Sequence, residues 1–481
     1  MKKSIICLVA IIMAASTVFV GISCKTATTT TVAETTVTAT TVSEGATSST
    51  ESSTEIKSTA TGDQWFVEKT APFKGKSLRV VTSSGYGFTE ALKLNAKDFT
   101  DLTGIKVEVS ELSWSELHEK ILANHVAKTY TYDVVNIDGW PAPSLWNAGA
   151  IVNLQPYFDK GDLISPDFDL KDFVPNDIKY NSTWPIGKDL YCIPYECDVL
   201  MLFYNTKYFA EYGLKPPQTW AEFENIATVL NGKDLNADGK EDYGFGIFAK
   251  KGGDLPASWH ARFVSYGGVF LDDKNMPHLN DDAAVKGMEL LRKHLQMAAP
   301  GSYDWDTPML SRAFINGDIA MCENWALLSN FANDPKESKI IGQWDATVIP
   351  AVAAGRGPIY GGWASGIPVE AENPDLSFLF IQWASSKNEM KKVVMELGLP
   401  QSRVSVLQDP EVLKKFPYYK ALLQGLNAGE AFVKIPETME IYEVLMEYVS
   451  EAAQPSNNDP KATLDAMQEA VYNVLLERGY Y

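Results

Sequence analysis

The sequence predicts an α/β fold, and three observations carry that prediction. Between Leu78 and Asp138 short apolar strand patterns alternate with helix patterns, which requires crossover connections and hence a mostly parallel sheet with helices on its faces. Helix-start signals recur where the alternation places helices. The chain has 481 residues, 45% of them hydrophobic, enough to bury more than one core and to form two or three domains.

Each element follows in order. "LRVVTSS", from Leu78, reads as a strand, and "TEALKLNAKDFTDLTG" as a helix opened by Thr89 and closed by Gly104. "IKVEVS" alternates as the next strand; "SWSELHEKILANHVAK" begins with a capping box, Ser113 to Glu116; "YDVVNID" is the third strand. A second set begins with "LMLFYN" and continues with "TWAEFENIATVLNG", which has a capping box from Thr219 to Glu222 and ends at Gly232. "YGFGIF" is a strand pattern, and "DDAAVKGMELLRKHLQMAA" spaces its apolar residues for a helix. The last third is mainly helical, from "NPDLSFLFIQWASS", with Asn373 capping and Pro374 in the first helical position, to "DPKATLDAMQEAVYNVLLERG". No internal repeat is visible.

The N-terminus reads as an export signal. Lys2 and Lys3 precede an apolar run too short for a confident membrane span, and the run ends in "GISC", which resembles the lipobox of bacterial lipoproteins. Residues 1–24 are therefore expected to be a signal peptide ending at a lipidated Cys24, with an ordinary signal peptide as the alternative. Residues 25–62 are roughly half Ser and Thr with almost no large apolar side chains, so they predict a disordered tether spanning about 35 Å. The formal charge is −19 and becomes about −21 once the leader is removed, which makes nucleic acid and anionic membrane poor partners. Cys192, Cys197 and Cys322 remain, an odd number, and read as buried thiols; a disulfide between the first two needs a turn at Pro194.

No motif nominates a nucleophile. "SSGYGFTEAL" carries a partial glycine fingerprint, Gly85 and Gly87, between a strand and a helix, but Glu90 stands where the third glycine belongs and repels phosphate. The segment reads as a ligand-facing loop without a cofactor. The five histidines show no metal-site spacing, no G-x-S-x-G surrounds a serine, and no cysteine stands beside a histidine. The 12 Trp and 21 Tyr are more informative, because many sit in polar, Gly- or Pro-containing segments such as "NIDGWPAPSLW", "LPASWHARFVSYGGVF", "MCENWALLSN" and "YGGWASGIP". Flat aromatic faces beside carboxylates and amides suit a sugar, whose C–H faces stack while its hydroxyls donate to acids such as Asp138.

One stretch resembles half a calcium loop. In "DLNADGKEDYGFG" the side chains of Asp234, Asn236, Asp238 and Asp242 occupy calcium positions one, three, five and nine, Gly239 sits at the tight turn, and the Lys240 carbonyl is available between them. Phe245 stands where the bidentate Glu belongs, and no second helix follows, so no EF-hand forms. A structural calcium and an unoccupied Asx-rich turn are both open readings; no cofactor is required.

The order of segments resembles the extracellular solute-binding proteins of family 1, the maltose-binding-like receptors of ATP-driven sugar importers, across roughly residues 75 to 481. Matching pieces are "YDVVNIDGWPAPSLWNAGAIVNLQPYF", "GKDLYCIPYECDVLMLFYNTKYF", "PPQTWAEFENIA", "FINGDIAMCENWALLSNF" and "GGWASGIP", in the family's order. The resemblance implies a two-lobed periplasmic-binding-protein fold with a hinge and an interlobe cleft. It implies an N-terminal lobe of residues 63–197 and 362–410, and a C-terminal lobe of residues 198–361 and 411–481. For the cleft it implies Asp138 as a polar contact with Trp140 beside it, Asp198 as an acidic sugar contact with Glu196 as second choice, an indole at Trp325, and Trp363 in the Gly-Gly return segment. Tyr86, Trp259 and Tyr266 are added from loop position.

The function so implied is a substrate-binding lipoprotein, monomeric and not an enzyme, anchored on the outer face of the cytoplasmic membrane. It captures a sugar, oligosaccharide or sugar alcohol by hinge closure and delivers it to the permease subunits of an ABC importer. The alternatives are a secreted glycoside hydrolase using two cleft acids and a same-fold receptor for a non-sugar polar solute.

Overall fold

The structure, a computed structural model, describes residues 60–481 apart from 353, 354 and 356. The leader, Cys24 and nearly all of the Ser/Thr-rich segment lie outside the described residues.

The chain from Ser58 onward forms one compact unit built on two sheets. The first has five strands in the order Lys106–Leu112, Ser77–Ser83, Val134–Asp138, Trp363–Gly366 and Cys192–Glu196. Its first three are parallel, and Trp363–Gly366 runs antiparallel to both its neighbours. The inner strands are apolar because helices cover both faces: Leu78, Val80, Val134 and Ala364 are fully buried. Lys106–Leu112 lies at the edge, and its exposed Lys106, Glu108 and Glu111 discourage further pairing there.

The second sheet is antiparallel, with Leu200–Asn205 between Met321–Trp325 and Trp344–Val348. The chain thus passes between the two sheets twice. The chain leaves the first sheet at Glu196 and enters the second at Leu200, then leaves the second at Val348 and re-enters the first at Trp363. The two crossings run side by side: Val199 bridges to Tyr360, and the Gly361 amide donates to the Asp198 carbonyl at 3.0 Å. Helix Lys387–Leu397 packs with helix Phe88–Thr103 of the first body, whereas helix Tyr419–Ala428 packs on the second sheet.

Both capping boxes form, at Ser113 with Glu116 and at Thr219 with Glu222. The helix expected to open at Thr89 has Gly87 as its N-cap instead, with φ +81°, while the Thr89 hydroxyl donates to Glu111. A Cβ on Gly87 would also lie 2.5 Å from the Asn330 amide nitrogen, so backbone and packing both call for glycine there. "YGFGIF" does not form a ladder strand. It makes isolated bridges, Tyr243 to Ile319 and Gly246 to Cys322, as a segment pressed so closely on a helix that a Cβ at Gly244 would overlap the Ala227 carbonyl. Cys192, Cys197 and Cys322 are buried free thiols.

Candidate ligand cleft

A cavity of about 280 Å³ opens where the two sheets meet. Its first wall comes from residues that follow the C-terminal ends of parallel strands: Tyr86 after Ser77–Ser83, Trp114 after Lys106–Leu112, and Asp138 with Trp140 at the end of Val134–Asp138. That edge is where an open α/β sheet leaves a crevice. Trp363 joins them because strand register places it opposite Asp138. The second wall comes from Asp198 at the crossing, Trp325 at the end of its strand, Asp254 before helix Leu255–Ser265, Asp306 and Thr307 at the start of helix Thr307–Asn316, and Tyr442 with Met446 one turn apart on helix Thr438–Ala453.

Gly361 and Gly362 form the floor. Gly362 has φ +116°, and a Cβ there would lie 2.6 Å from Asn181 Nδ2 and 2.9 Å from Asp177 Oδ1, so helix Pro175–Asn181 and the second crossing come this close only with glycine.

The aromatic rings are locked into one another across the cleft. Trp140 meets Trp325 edge-on at 5.7 Å and Tyr442 at 4.9 Å, and its indole N–H donates to the Tyr360 carbonyl at 2.9 Å. Trp363 lies 6.0 Å from Tyr86 and 4.7 Å from Phe88. Asp138 holds this wall in place: Oδ2 accepts the Trp114 indole N–H at 2.8 Å and Oδ1 the Trp140 amide at 2.9 Å. It is thus an Asx turn and an orienting group for Trp114 as well as a lining acid.

The electrostatics are one-sided. Four lining side chains are aspartates, and none is Lys, Arg or His among the described residues. Burial raises the Asp138, Asp198 and Asp254 carboxyls above the usual carboxylate range, against the hydrogen bonds each accepts. Asp254 accepts from the Thr307 and Tyr442 hydroxyls, and Asp306 pairs with Lys250 at 3.0 Å. Lys434 lies behind the first wall, its Nζ donating to the Gly139 carbonyl at 2.7 Å; burial brings its pKa down to about 7.

Of the residues expected at the cleft, Tyr86, Asp138, Trp140, Asp198, Trp325 and Trp363 line this one cavity. Three expectations are corrected. Trp259 is fully buried in helix Leu255–Ser265, stacked on Phe263 at 5.0 Å, because Pro256 starts a helix where a loop was expected and the helix is covered on all sides. Tyr266 ends that helix and packs against the core away from the cavity. Glu196 pairs with Trp363 on the far side from Asp138 and is sealed from the cavity at 0% exposure. Trp114 follows a strand exactly as Tyr86 does, and that signal was available for it. Asp254, Asp306, Thr307, Tyr442 and Met446 had none, since a helix cap or an amphipathic helix accounts for each.

The Asp234–Asp242 turn is held by its own amides. Asp242 accepts from the Leu235 and Asn236 amides at 2.7 and 3.0 Å, Asp234 from the Asp238 and Gly239 amides at 3.0 and 3.1 Å, and Asn236 Oδ1 from Asp238. The Lys240 side chain pairs with Asp238 at 3.2 Å. No three His, Cys, Asp or Glu side chains converge on a metal position among the described residues.

Two bodies joined by paired crossing segments, with a solute-sized cavity between them, define a hinged binding protein. The sequence model described as bacterial extracellular solute-binding protein matches residues 86–391, and the chain belongs to that family. It is 26% identical over 414 residues to a probable amino-acid ABC transporter periplasmic-binding protein of Sinorhizobium fredii, covering 85% of this chain and 91% of the relative. Among solved structures it resembles an ABC transporter solute-binding protein of Agrobacterium radiobacter in complex with ribitol, with TM-score 0.73, 24% identity, and coverage of 83% of this chain and 99% of that one. A maltose-bound protein of T. maritima gives TM-score 0.73 at 20% identity, covering 83% and 100%. At these identities the structural likeness is one of fold.

Proposed function

We propose that this chain is the carbohydrate receptor of an ATP-driven importer, taking a sugar, oligosaccharide or sugar alcohol from outside the cell and presenting it to the permease. The observation that carries this reading is a cavity walled from two bodies by six aromatic rings and four aspartates, a lining that stacks on C–H faces and accepts from hydroxyls. The ribitol and maltose held by proteins of the same fold support it. Ligand contacts to both walls stabilise the closed arrangement, and the permease reads that arrangement. No bond is broken. In this reading the chain acts as a monomer, anchored through a lipid on Cys24.

An amino-acid receptor, suggested by the Sinorhizobium relative, is the second reading. It is disfavoured because no cationic side chain among the described residues lines the cavity to hold an α-carboxylate. Calorimetry with sugars, alditols and amino acids tests the choice, and recovery of oligosaccharide intact after incubation separates a receptor from a glycoside hydrolase. Binding by amino acids alone, or turnover, overturns the proposal. A structural calcium at the Asp234–Asp242 turn is tested by thermal unfolding with added calcium and with chelator. A calcium-dependent rise in Tm supports the ion, and identical curves assign the turn to hydrogen bonds alone.

A further inference from the structure

We propose that the solute carries a protonated amine beside its hydroxyls, as an amino sugar or amino polyol does, and that the free oxygen of Asp198 receives it. The inference rests on the carbohydrate reading of the cleft and narrows it.

The lining acids are not equivalent. Both oxygens of Asp138 are already taken by the Trp114 indole and the Trp140 amide, and both of Asp254 by the Thr307 and Tyr442 hydroxyls. Asp306 is neutralised by Lys250 at 3.0 Å. Asp198 differs. Its Oδ1 accepts the Val199 and Ala326 amides at 2.8 and 2.6 Å, while its Oδ2 has no hydrogen-bond partner among the described residues, although the residue is only 3% exposed and lines the cavity.

Behind Asp198, at the same crossing, Glu196 is 0% exposed with neither carboxyl oxygen bonded, and both acids feel the repulsion of Asp138 and Asp177. The cationic side chain buried in this neighbourhood, Lys434, is spent on the Gly139 carbonyl. A neutral hydroxyl placed against Asp198 satisfies one lone pair and leaves the ionised form of this buried carboxyl disfavoured. An ammonium group satisfies the same lone pair with a charge-assisted bond and stabilises the ionised form. Trp140, Trp325 and Trp363 line the same cavity, and indole rings attract a cation. An α-amino acid gains the same contact but brings a carboxylate into a wall of carboxylates, so an amine without an acid is the better match.

Calorimetry on matched pairs tests this: 1-amino-1-deoxysorbitol against sorbitol, glucosamine against glucose, and glucosamine trisaccharide against cellotriose. The expected result is at least one pair whose amine member binds tenfold or more tighter than its hydroxyl partner. In that pair Asp198→Asn should cut the affinity of the amine member tenfold or more and that of the neutral member less than threefold. Neutral members binding as tightly as their amines would overturn the amine while leaving the carbohydrate receptor in place. Equal losses for both members in the variant would overturn the role of Asp198. A wild-type chain that binds no member of any pair would overturn the inference and the reading beneath it together. Because the pairwise comparison is made on the wild-type chain, it stands even where the variant folds poorly.

Discussion

Trp140 and Trp363 are 4% and 5% exposed, so rings that line the cavity are also part of the packing that builds it. Replacing Trp140 by Ala should weaken ligand binding and also cost about 3–5 kcal/mol of unfolding free energy without ligand, measured by urea titration. Trp114 is half-buried and held mainly by one bond to Asp138, so Trp114→Ala should weaken binding with a much smaller loss of stability. Glu196 offers a different test. Burial first, then Asp198, Asp177 and Asp138, raise its carboxyl well above the unfolded value, so the folded state binds its proton more tightly. The stability tied to that proton is full below the unfolded pKa of about 4.3 and is lost as pH rises through the folded value. The wild-type Tm should therefore fall more steeply between pH 5 and 8 than that of Glu196→Gln; parallel curves would mean that the group is solvated.

At the scale of elements, helix Leu255–Ser265 shows how a polar-looking segment becomes core. Arg262 on this helix is fully buried, and its guanidinium reaches Glu323 on the outer strand Met321–Trp325 of the second sheet at 3.0 Å, with His294 at 2.7 Å and the Ser258 carbonyl at 2.7 Å. Glu323→Ala leaves that charge uncompensated and should cost about 3–5 kcal/mol in urea unfolding. The Asp234–Asp242 turn is a smaller case of the same principle. Asp242, 4% exposed, closes it by accepting two amides and the Asn236 side chain, so Asp242→Ala should lower stability by about 1–3 kcal/mol whatever the calcium level. Strands and helices are readable because period and caps are local; the segment "LPASWHARFVS" reads as a loop from the Gly-rich stretch after Trp259 and Tyr266, whereas Pro256 at the helix start signals a helix.

For the whole molecule, the crossings at Cys197–Val199 and Tyr360–Gly362 run side by side between the two bodies, which is the arrangement expected of a hinge. Ligand should lower the radius of gyration in solution scattering, and at 100 times Kd should add about 2.7 kcal/mol to the unfolding free energy. An unchanged profile with an unchanged Tm would count against closure around the solute.

Alternation of strand and helix and two capping boxes determined the α/β class, and loop position after a strand pointed to Tyr86 and Asp138, because those signals are written within a few residues of one another; Trp140, Asp198, Trp325 and Trp363 were implied by the family resemblance. Only the tertiary structure decided that Asp254, Asp306 and Tyr442 face the same cavity, that Trp259 does not, and that Glu196 is sealed behind Trp363 while Asp198 keeps one oxygen free. Those facts depend on which strands lie side by side, and pairing Trp363 with both Asp138 and Glu196 joins residues more than 160 positions apart, a distance over which no local pattern carries information.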